Sequence, residues 1–269
     1  MASGLKTNIC VNAATGRMGQ QIVHQTNISK DTELVSALCR TGHPYHQKTV
    51  RGSHDVNYTS DVAEALSISQ VVVDFSLPVV SLALLEKATK SKTPVLIGTT
   101  GFSEKQLEAI KEAGRTIPVL LAPNTSIGVN ALLSLVSKAT DMLGKKADIE
   151  IIEAHHKNKI DSPSGTALKI GEVICDSLDT DLKDVAVFQR VDSKTARTDN
   201  EIGFSSVRAG SIVGDHKIIF ALENEVISIE HKAINRQCFA EGAVKAARWL
   251  TRQPKGLYSM KDFLLNQKP

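Results

Sequence analysis

The residues best suited to chemistry lie in one short run, from Glu153 to Thr166. Within this run, His155 and His156 supply titratable rings and Lys159 supplies a cation. A histidine near its unperturbed pKa can donate a proton at neutral pH, and a lysine can bind a carboxylate. We therefore expect proton-transfer chemistry on a small acidic molecule.

The same run leads into a predicted helix over residues 165–178. Ser162 is a suitable N-cap, Pro163 has the dihedral of a first helical position, and Gly165 leaves its amide uncovered. Because free amides at a helix start attract anions, this segment predicts a carboxylate site. Arg236, further along the chain, is a candidate additional partner for an anion.

Two other roles are open to the adjacent histidines. Zinc binding is disfavoured because no third ligand follows at a useful spacing, so we expect no metal. A packing histidine held by a hydrogen bond is the stronger alternative, although it does not explain the anion-binding helix start. Since neighbouring residues of an extended segment point to opposite sides, we expect one histidine to be chemical and the other supportive.

Composition narrows the class of protein. The chain has 269 residues, a hydrophobic share of 42% and a net charge of +3 without a long basic block, so we expect a globular protein that does not bind nucleic acid. The four cysteines are too far apart in sequence to suggest a disulfide framework. Because neither a signal peptide nor a long apolar run is evident, we expect a cytoplasmic protein that does not associate with membranes.

A second candidate site follows the first predicted strand, at residues 8–11. Ala13, Gly16 and Gly19 occupy the three positions of a dinucleotide fingerprint, and a helical segment follows. Such a turn alone is often structural, but the βαβ pattern behind it favours cofactor binding. The predicted nucleotide contacts here are Ala13, Ala14, Thr15, Gly16, Arg17 and Met18.

Strand-like and helical segments then alternate, which predicts a parallel sheet. Strands are predicted at residues 33–38, 71–75, 95–98 and 119–122, with helices at 80–91 and 104–115. Ligands of such sheets bind at the carboxyl ends of the strands. The residues expected to contact the cofactor there are Gly98, Thr99, Thr100, Pro123, Asn124 and Thr125. The alternative for the first of these segments is a turn that starts a helix at Ser103 with a capping box.

The end of the second predicted strand indicates which cofactor binds. A carboxylate there takes the ribose hydroxyls of NADH, but this chain has Cys39 and Arg40 instead. Arg40, with Arg17 in the phosphate turn, can pair with a 2′-phosphate. We therefore expect NADPH to be preferred, with NADH as the alternative cofactor. Either arginine could also be an ordinary surface charge.

The pattern changes after residue 122. Helices are predicted at 130–143, 165–178 and 239–252, and strands at 148–154, 184–191 and 203–207. Residues 217–222 and 226–232 read as an antiparallel hairpin. The second part is thus expected to be an α+β domain, with a mixed, largely open sheet and helices on one face.

Several of these segments together carry a family resemblance. They are Gly16-Arg-Met-Gly19, Gly98-Thr-Thr-Gly-Phe102, the run 153–167, Val207-Arg-Ala-Gly210 and His231-Lys-Ala with Arg236. The chain resembles the 4-hydroxy-tetrahydrodipicolinate reductase (dihydrodipicolinate reductase) family essentially from end to end. The histidine-lysine-Ser-Gly-Thr block is highly specific to that family, whereas the glycine turn is shared with many dehydrogenases.

The resemblance implies a Rossmann-like nucleotide domain made from residues 1–126 and 240–269. It also implies a central domain, residues 127–239, that binds substrate and forms a homotetramer. The implied activity is NAD(P)H-dependent reduction of a cyclic dicarboxylate in lysine and diaminopimelate biosynthesis.

The resemblance assigns roles to individual residues as well. It implies that His155 is the proton donor, Lys159 its cationic partner, and Gly165 with Thr166 the site for a substrate carboxylate. His156 and Arg236 correspond to residues of the substrate pocket. The chain departs from the family pattern at Ala13, where glycine is usual, and at Cys39, where many members carry an acid.

Two other functions fit parts of the sequence. A related dehydrogenase acting on an amino acid such as aspartate would share the nucleotide domain but use another acceptor. A non-catalytic NADPH sensor would bind nucleotide without needing the cluster of His155 and Lys159.

Overall fold

The computed structural model describes residues 5–53, 55–191 and 194–266. The chain divides into two compact units, Met1–Ile127 with Gln237–Pro269 and Gly128–Arg236. The first unit is therefore built from both ends of the chain. Each unit is described separately below.

The amino-terminal part of the first unit alternates strands with helices, as the hydrophobic pattern predicts. Its elements are β1 (Thr7–Asn12), α1 (Arg17–Ile28), β2 (Thr32–Leu38), β3 (Tyr58–Thr59), α2 (Val62–Ser67), β4 (Val71–Asp74), α3 (Pro78–Ser91), β5 (Val95–Ile97), α4 (Glu104–Gly114) and β6 (Pro118–Leu121). Helix α4 begins with the predicted capping box, in which Ser103 and Gln106 bond reciprocally.

The central part of the chain contains all five strands of a second sheet. Its elements are α5 (Ile127–Leu143), a 3₁₀ turn (Gly144–Lys146), β7 (Asp148–His155), α6 (Gly165–Leu178), α7 (Leu182–Val185), β8 (Ala186–Val187), β9 (Ile202–Arg208), β10 (Asp215–Ala221) and β11 (Val226–Lys232). The chain then returns to the first unit with α8 (Gln237–Leu250), β12 (Gly256–Tyr258) and α9 (Met260–Leu265).

The first unit contains a seven-stranded sheet in the order β12-β6-β5-β4-β1-β2-β3, and every pairing is parallel. Adjacent residues of β4, Val72 and Val73, belong to separate apolar clusters on the two faces. Helices α1 and α8 contribute to one cluster, and α3 and α4 to the other. A parallel sheet buried on both faces is the Rossmann-like arrangement that the sequence predicts.

The second unit contains a five-stranded mixed sheet in the order β11-β10-β7-β9-β8. Strand β7 pairs antiparallel with β10 and parallel with β9, and β10 and β11 form the predicted antiparallel hairpin. Residues alternate in burial along β7 and β10, so one face packs on α5 and α6. The prediction of a mixed sheet covered by helices is confirmed.

The predicted strand over residues 184–191 is wrong for most of its length. A short helix, α7, occupies Leu182–Val185 because the Asp181 side chain caps its start by accepting from the amide of Lys183. The strand β8 that follows has two residues, which pair with β9. The apolar residues in this segment resembled a strand, but pairing with β9 extends over Ala186–Val187 alone.

The turn between β1 and α1 contains a backbone conformation that favours glycine. Ala13 has a φ of 51°, in the left-handed region, at the first position of the fingerprint. A Cβ on Gly19 would lie 2.2 Å from the carbonyl oxygen of Ala13, so the third position requires glycine for the helix to pack against the turn. Alanine at position 13 therefore stores local strain that glycine would relieve.

We predict that Ala13→Gly raises the free energy of unfolding by about 0.5 to 1 kcal/mol, because relief of the left-handed strain exceeds the entropic cost of glycine. The matched control is Ala14→Gly at the next residue, whose φ is not positive and where glycine should lower stability. Urea denaturation of the three proteins measures both effects. Equal losses for the two variants would contradict the strain at Ala13.

Candidate active site and nucleotide-binding edge

The carboxyl ends of β1, β4 and β5 are joined by side-chain hydrogen bonds. Asn12 Nδ2 donates to Asp74 Oδ1 over 2.7 Å, and Thr99 Oγ1 donates to Asp74 Oδ2 over 3.2 Å. The amide of Ser76 in turn donates to Thr99 Oγ1 over 2.9 Å. The Thr99 side chain therefore holds this edge of the sheet together, while Thr100 beside it is exposed.

Gly98 begins the segment after β5 for a packing reason. A Cβ at this position would lie 2.1 Å from the ring of Phe75, which packs against the core on that side of the sheet. Gly101 has a φ of 84°, so the segment also turns sharply before α4. Both glycines shape this part of the edge, and the predicted nicotinamide contacts of Gly98, Thr99 and Thr100 stay predictions.

The start of α1 fits the pyrophosphate of a dinucleotide. Its N-cap is Gly16, which makes no side-chain capping bond, and its first turn holds no acidic residue. Backbone amides at this helix start are thus available to an anion, and glycine lets a phosphate approach closely. The predicted contacts of a nucleotide with Ala13, Ala14, Thr15, Arg17 and Met18 at this helix start stay predictions.

Two arginines lie near this edge. Arg17 is the first residue of α1, and Arg40 follows shortly after β2 ends at Leu38. Both are exposed, and neither forms a salt bridge to a described residue. Their guanidinium groups are therefore available to pair with a phosphate.

The segment after β6 uses its side chains locally. Thr125 Oγ1 donates to the carbonyl of Phe239 over 2.7 Å, and the amide of Ser126 donates to Asn124 Oδ1 over 2.9 Å. A Cβ on Gly242 would lie 1.8 Å from the Thr125 carbonyl oxygen, so α8 packs closely here. Pro123 is exposed. A role of Pro123, Asn124 and Thr125 in nucleotide binding stays a prediction.

In the second unit, β7 places Glu153 and His155 on the same buried face, two residues apart. His155 Nδ1 lies 2.5 Å from Glu153 Oε2. His156 follows the end of the strand and is half-buried. The two histidines thus differ in burial, and the expectation that one is chemical and the other supportive stays a prediction.

Glu153 is surrounded by hydrogen-bond donors. Arg208 donates through Nη1 to Oε2 over 2.8 Å and through Nη2 to Oε1 over 2.7 Å, and the amide of Ser164 donates to Oε1 over 3.2 Å. Although burial disfavours its charge, these bonds, with others from Ser206 and His155, lower the pKa of Glu153 to about 2. Glu153 is therefore an ionised carboxylate only 1% exposed.

Burial also disfavours the charged form of the neighbouring histidines, and for a histidine this lowers the pKa. It lowers the pKa of His155 below its ordinary value, although the hydrogen bond and charge of Glu153 partly offset this. Burial and the neighbouring His155 lower the pKa of His216 to about 4, and the two rings meet edge to face with centroids 5.3 Å apart. Both rings are thus neutral at pH 7 in this structure.

The start of α6 differs from the prediction in one respect. The N-cap is Ser164, whose side chain accepts from the amide of Ala167, and neither Ser162 nor Pro163 belongs to the helix. Pro163 therefore lies before the helix, and the Ser162–Pro163 peptide bond is cis. Ser164 Oγ also lies 3.0 Å from His216 Nε2, which joins the helix start to the histidine pair.

Lys159 and the exposed Gly165 meet at the carboxylate of Asp161. Lys159 Nζ lies 2.8 Å from Oδ1 and 2.7 Å from Oδ2 of Asp161. Lys159 lowers the pKa of Asp161, and the nearby backbone amides of Asp161 and Gly165 lower it further. Lys159 therefore already pairs with one carboxylate beside the start of α6, and its binding of a substrate carboxylate stays a prediction.

The remaining predicted substrate residues are partly brought together. Arg236 Nη2 lies 3.3 Å from His156 Nε2, although the two are far apart in sequence. Thr166 follows Gly165 in the first turn of α6 and is half-buried. The roles of these residues toward a substrate stay predictions.

Sequence reasoning assigned no role to Glu153, Arg208, His216 or Ser164. The two-residue period of β7 was a usable signal for Glu153, since it predicts a carboxylate on the same face as His155. Arg208 and His216 reach this face from β9 and β10, and no local pattern indicates that pairing.

The described ranges contain neither a cluster of metal-ligating side chains nor a membrane-spanning helix. Within residues 5–53, 55–191 and 194–266, no three His, Cys, Asp or Glu side chains are grouped so as to hold a metal ion. Across the same ranges, no helix combines the length and apolar character needed to span a bilayer.

Comparison with known sequences identifies relatives over both units. The family described as dihydrodipicolinate reductase, N-terminus, matches residues 7–125, and that described as dihydrodipicolinate reductase, C-terminus, matches residues 128–264. The 4-hydroxy-tetrahydrodipicolinate reductase of Buchnera aphidicola subsp. Baizongia pistaciae is 40% identical, covering 96% of this chain and 97% of the relative. The enzyme of that name from Nitrosospira multiformis is 43% identical, with the same coverage of both chains.

A solved structure shares the fold. The dipicolinate-bound dihydrodipicolinate reductase from Paenisporosarcina sp. TG-14 superimposes with a TM-score of 0.78 at 23% identity, covering 96% of this chain and 99% of the other. At this level of identity the likeness concerns the fold alone.

We predict that Arg208→Met lowers the free energy of unfolding at pH 7 by about 3 to 5 kcal/mol, because it leaves the buried Glu153 carboxylate without its cation. The matched control is Arg190→Met, whose exposed pairs with Glu150 and Glu201 should contribute below about 1 kcal/mol. Urea denaturation measures both.

The decrease in the free energy of unfolding caused by Arg208→Met should become smaller as the pH falls. In the wild-type protein the depressed pKa of Glu153 contributes stability that is present above the unfolded-state pKa near 4.5 and is lost as the pH falls toward about 2. The variant lacks most of this contribution, so its deficit narrows below pH 4.5. A deficit independent of pH would contradict the assignment.

Proposed function

Because the chain belongs to the dihydrodipicolinate reductase family and is an NAD(P)H-dependent oxidoreductase, we propose that it reduces 4-hydroxy-tetrahydrodipicolinate to tetrahydrodipicolinate, using NADPH and a proton from His155. The reaction belongs to lysine and diaminopimelate biosynthesis. The observation that carries the proposal is the buried His155–Glu153 pair beside a lysine and a helix start that bind a carboxylate.

Reduced nicotinamide, when bound, supplies the hydride. The turn from Ala13 to Met18 binds the pyrophosphate through the free amides at the start of α1. Arg40 and Arg17 bind the 2′-phosphate, and the absence of a carboxylate at Cys39 removes the usual partner of the NADH ribose. These features support a preference for NADPH.

The substrate is a cyclic dicarboxylate, a class represented by the dipicolinate bound in the Paenisporosarcina structure. Lys159 and the amides of Gly165 and Thr166 bind one substrate carboxylate. This carboxylate replaces the Asp161 side chain as the partner of Lys159. Arg236 and His156 bind the other. Cations at both ends fix the ring and stabilise negative charge that develops on it.

Hydride addition to an electron-poor ring carbon leaves negative charge on the neighbouring position, which must accept a proton. His155 donates that proton, and the overall reaction also releases one water. The ring of His155 is neutral without ligand, but two substrate carboxylates favour its charged form. Proton uptake by His155 therefore accompanies substrate binding.

We propose further that the protein is a cytoplasmic homotetramer. The face of the second sheet opposite α5 and α6 carries Ile152, Ile219 and the exposed Val226, which suits burial against another copy. Sedimentation equilibrium tests this through a mass four times the 29.0 kDa of one chain.

The activity is tested by mixing the protein with NADPH and freshly prepared 4-hydroxy-tetrahydrodipicolinate while following nicotinamide absorbance. Turnover with this acceptor, and none with aspartate and NADP⁺, supports the proposal. Turnover with aspartate alone would favour an amino-acid dehydrogenase, and tight NADPH binding without any turnover would favour a sensor.

We predict that His155→Gln lowers kcat by about 10²-fold or more with little change in KM, because it removes the proton donor. Lys159→Ala should lower kcat and also raise KM, because the lysine binds substrate. Lys157→Ala, an exposed lysine of the same loop, is the control and should leave both constants unchanged. Wild-type kinetics for the first two variants would remove the assignment.

We predict that Arg40→Ala raises KM for NADPH about tenfold, the effect of one charge-assisted hydrogen bond at an exposed site, and leaves KM for NADH unchanged. Arg51→Ala changes another exposed arginine of the same unit and serves as the control. An unaltered ratio of the two KM values in Arg40→Ala would show that Arg40 does not select the cofactor.

A further inference from the structure

We infer that Glu153 is a positioning residue that holds the proton of neutral His155 on Nδ1, so that Nε2 is the nitrogen that gains and delivers the transferred proton. Arg208 holds Glu153 in this orientation. The inference rests on the proposed role of His155 as proton donor, and assigns that donor a partner and a working atom.

The contacts of Glu153 decide the tautomer. Each of its oxygens accepts from Arg208, and Oε1 also accepts from the amide of Ser164. A carboxylate held by these donors is ionised and can only accept a hydrogen bond at its remaining site. The 2.5 Å contact between Glu153 Oε2 and His155 Nδ1 therefore requires the proton to lie on Nδ1.

The other ring nitrogen of His155, Nε2, is not engaged by the described part of the chain. No described residue forms a hydrogen bond to His155 Nε2. A Cβ on Gly214 would lie only 3.0 Å from this atom, although the φ of Gly214 is not in the left-handed region. Position 214 thus has no backbone need for glycine, and its missing side chain leaves space at Nε2.

The charges around the ring make Glu153 the group that favours its charged form. Lys159 and Arg208 disfavour the imidazolium, as does burial, and His216 faces the same ring as a second base. Among the described residues acting on His155, Glu153 supplies the opposing negative charge. A proton gained at Nε2 is therefore stabilised through Nδ1 on the far side of the ring.

The first test is Glu153→Gln. We expect kcat to fall roughly 10- to 100-fold with KM for both substrates within about twofold, because the donor is present but its imidazolium has lost its counter-charge. Since a proton donor works below its pKa, the alkaline limb of the kcat profile should move to lower pH by roughly one unit. Glu153→Asp should restore part of the lost kcat and should return the alkaline limb part of the way to its wild-type pH.

The control is Glu150→Gln, another carboxylate of β7 that also pairs with arginines but lies on the opposite face of the sheet. It should leave kcat and the alkaline limb unchanged. A wild-type kcat and limb in Glu153→Gln would overturn the inference, as would an equal shift in Glu150→Gln.

The second test reads the tautomer directly and needs no activity. The ring ¹⁵N resonances of His155 are identified as those missing from His155→Gln, and above the pKa of the ring the wild-type protein should show a protonated Nδ1 and an unprotonated Nε2. The opposite pattern overturns the inference even if Glu153→Gln does not fold.

The two proposals fail in different ways. Wild-type turnover by His155→Gln would refute His155 as the proton donor, whatever the tautomer. Slow turnover by His155→Gln together with a protonated Nε2 in the neutral ring would leave the donor in place and overturn the role of Glu153 alone.

Discussion

The buried ion pair between Glu153 and Arg208 is the interaction on which the second unit's site depends. A carboxylate only 1% exposed is costly unless donors surround it, and here the donors come from β7, β9 and the start of α6. Arg208 also donates to the carbonyl of Asp161, which ties the loop carrying Lys159 to the sheet. The ionised pair of Glu153 and Arg208 therefore holds the end of β7, the loop that carries Lys159 and the start of α6 in fixed positions relative to one another.

The polar groups at the sheet edge of the first unit work in a similar way. Asp74 accepts from Asn12 and Thr99, so three parallel strands end in one hydrogen-bonded set. The backbone amides at the start of α1 and the exposed guanidinium groups of Arg17 and Arg40 do not belong to this set of bonds. They are therefore available to bind phosphate. The side chains that hold this edge together thus differ from the groups that can bind a ligand there. The Thr99 hydroxyl bonds to Asp74, whereas the guanidinium group of Arg40 forms no salt bridge to a described residue.

Some site residues were predictable because they follow local rules. The histidines and Lys159 stand in one short run, the fingerprint turn precedes a helix, and the hairpin of β10 and β11 shows in its alternation. Other features were misread for equally local reasons. Ser162-Pro163 resembles a helix start, yet the cap is Ser164, and the apolar residues after Asp184 resemble a long strand where two residues pair.

The sequence by itself determined the fold class, the two sets of candidate site residues and the protein family to which the chain belongs. It could do so because the hydrophobic period, the turn residues and the family-specific block of residues are all local features of the chain. Only the tertiary structure decided that Arg208 pairs with Glu153, that His216 packs against His155, and that Arg236 lies beside His156. These partners are 55 to 80 positions apart in sequence. Strand pairing and the return of the loops bring them together, which no local pattern encodes. The physical reason is that burial and the charges brought close by strand pairing, rather than residue type, set the pKa of each histidine.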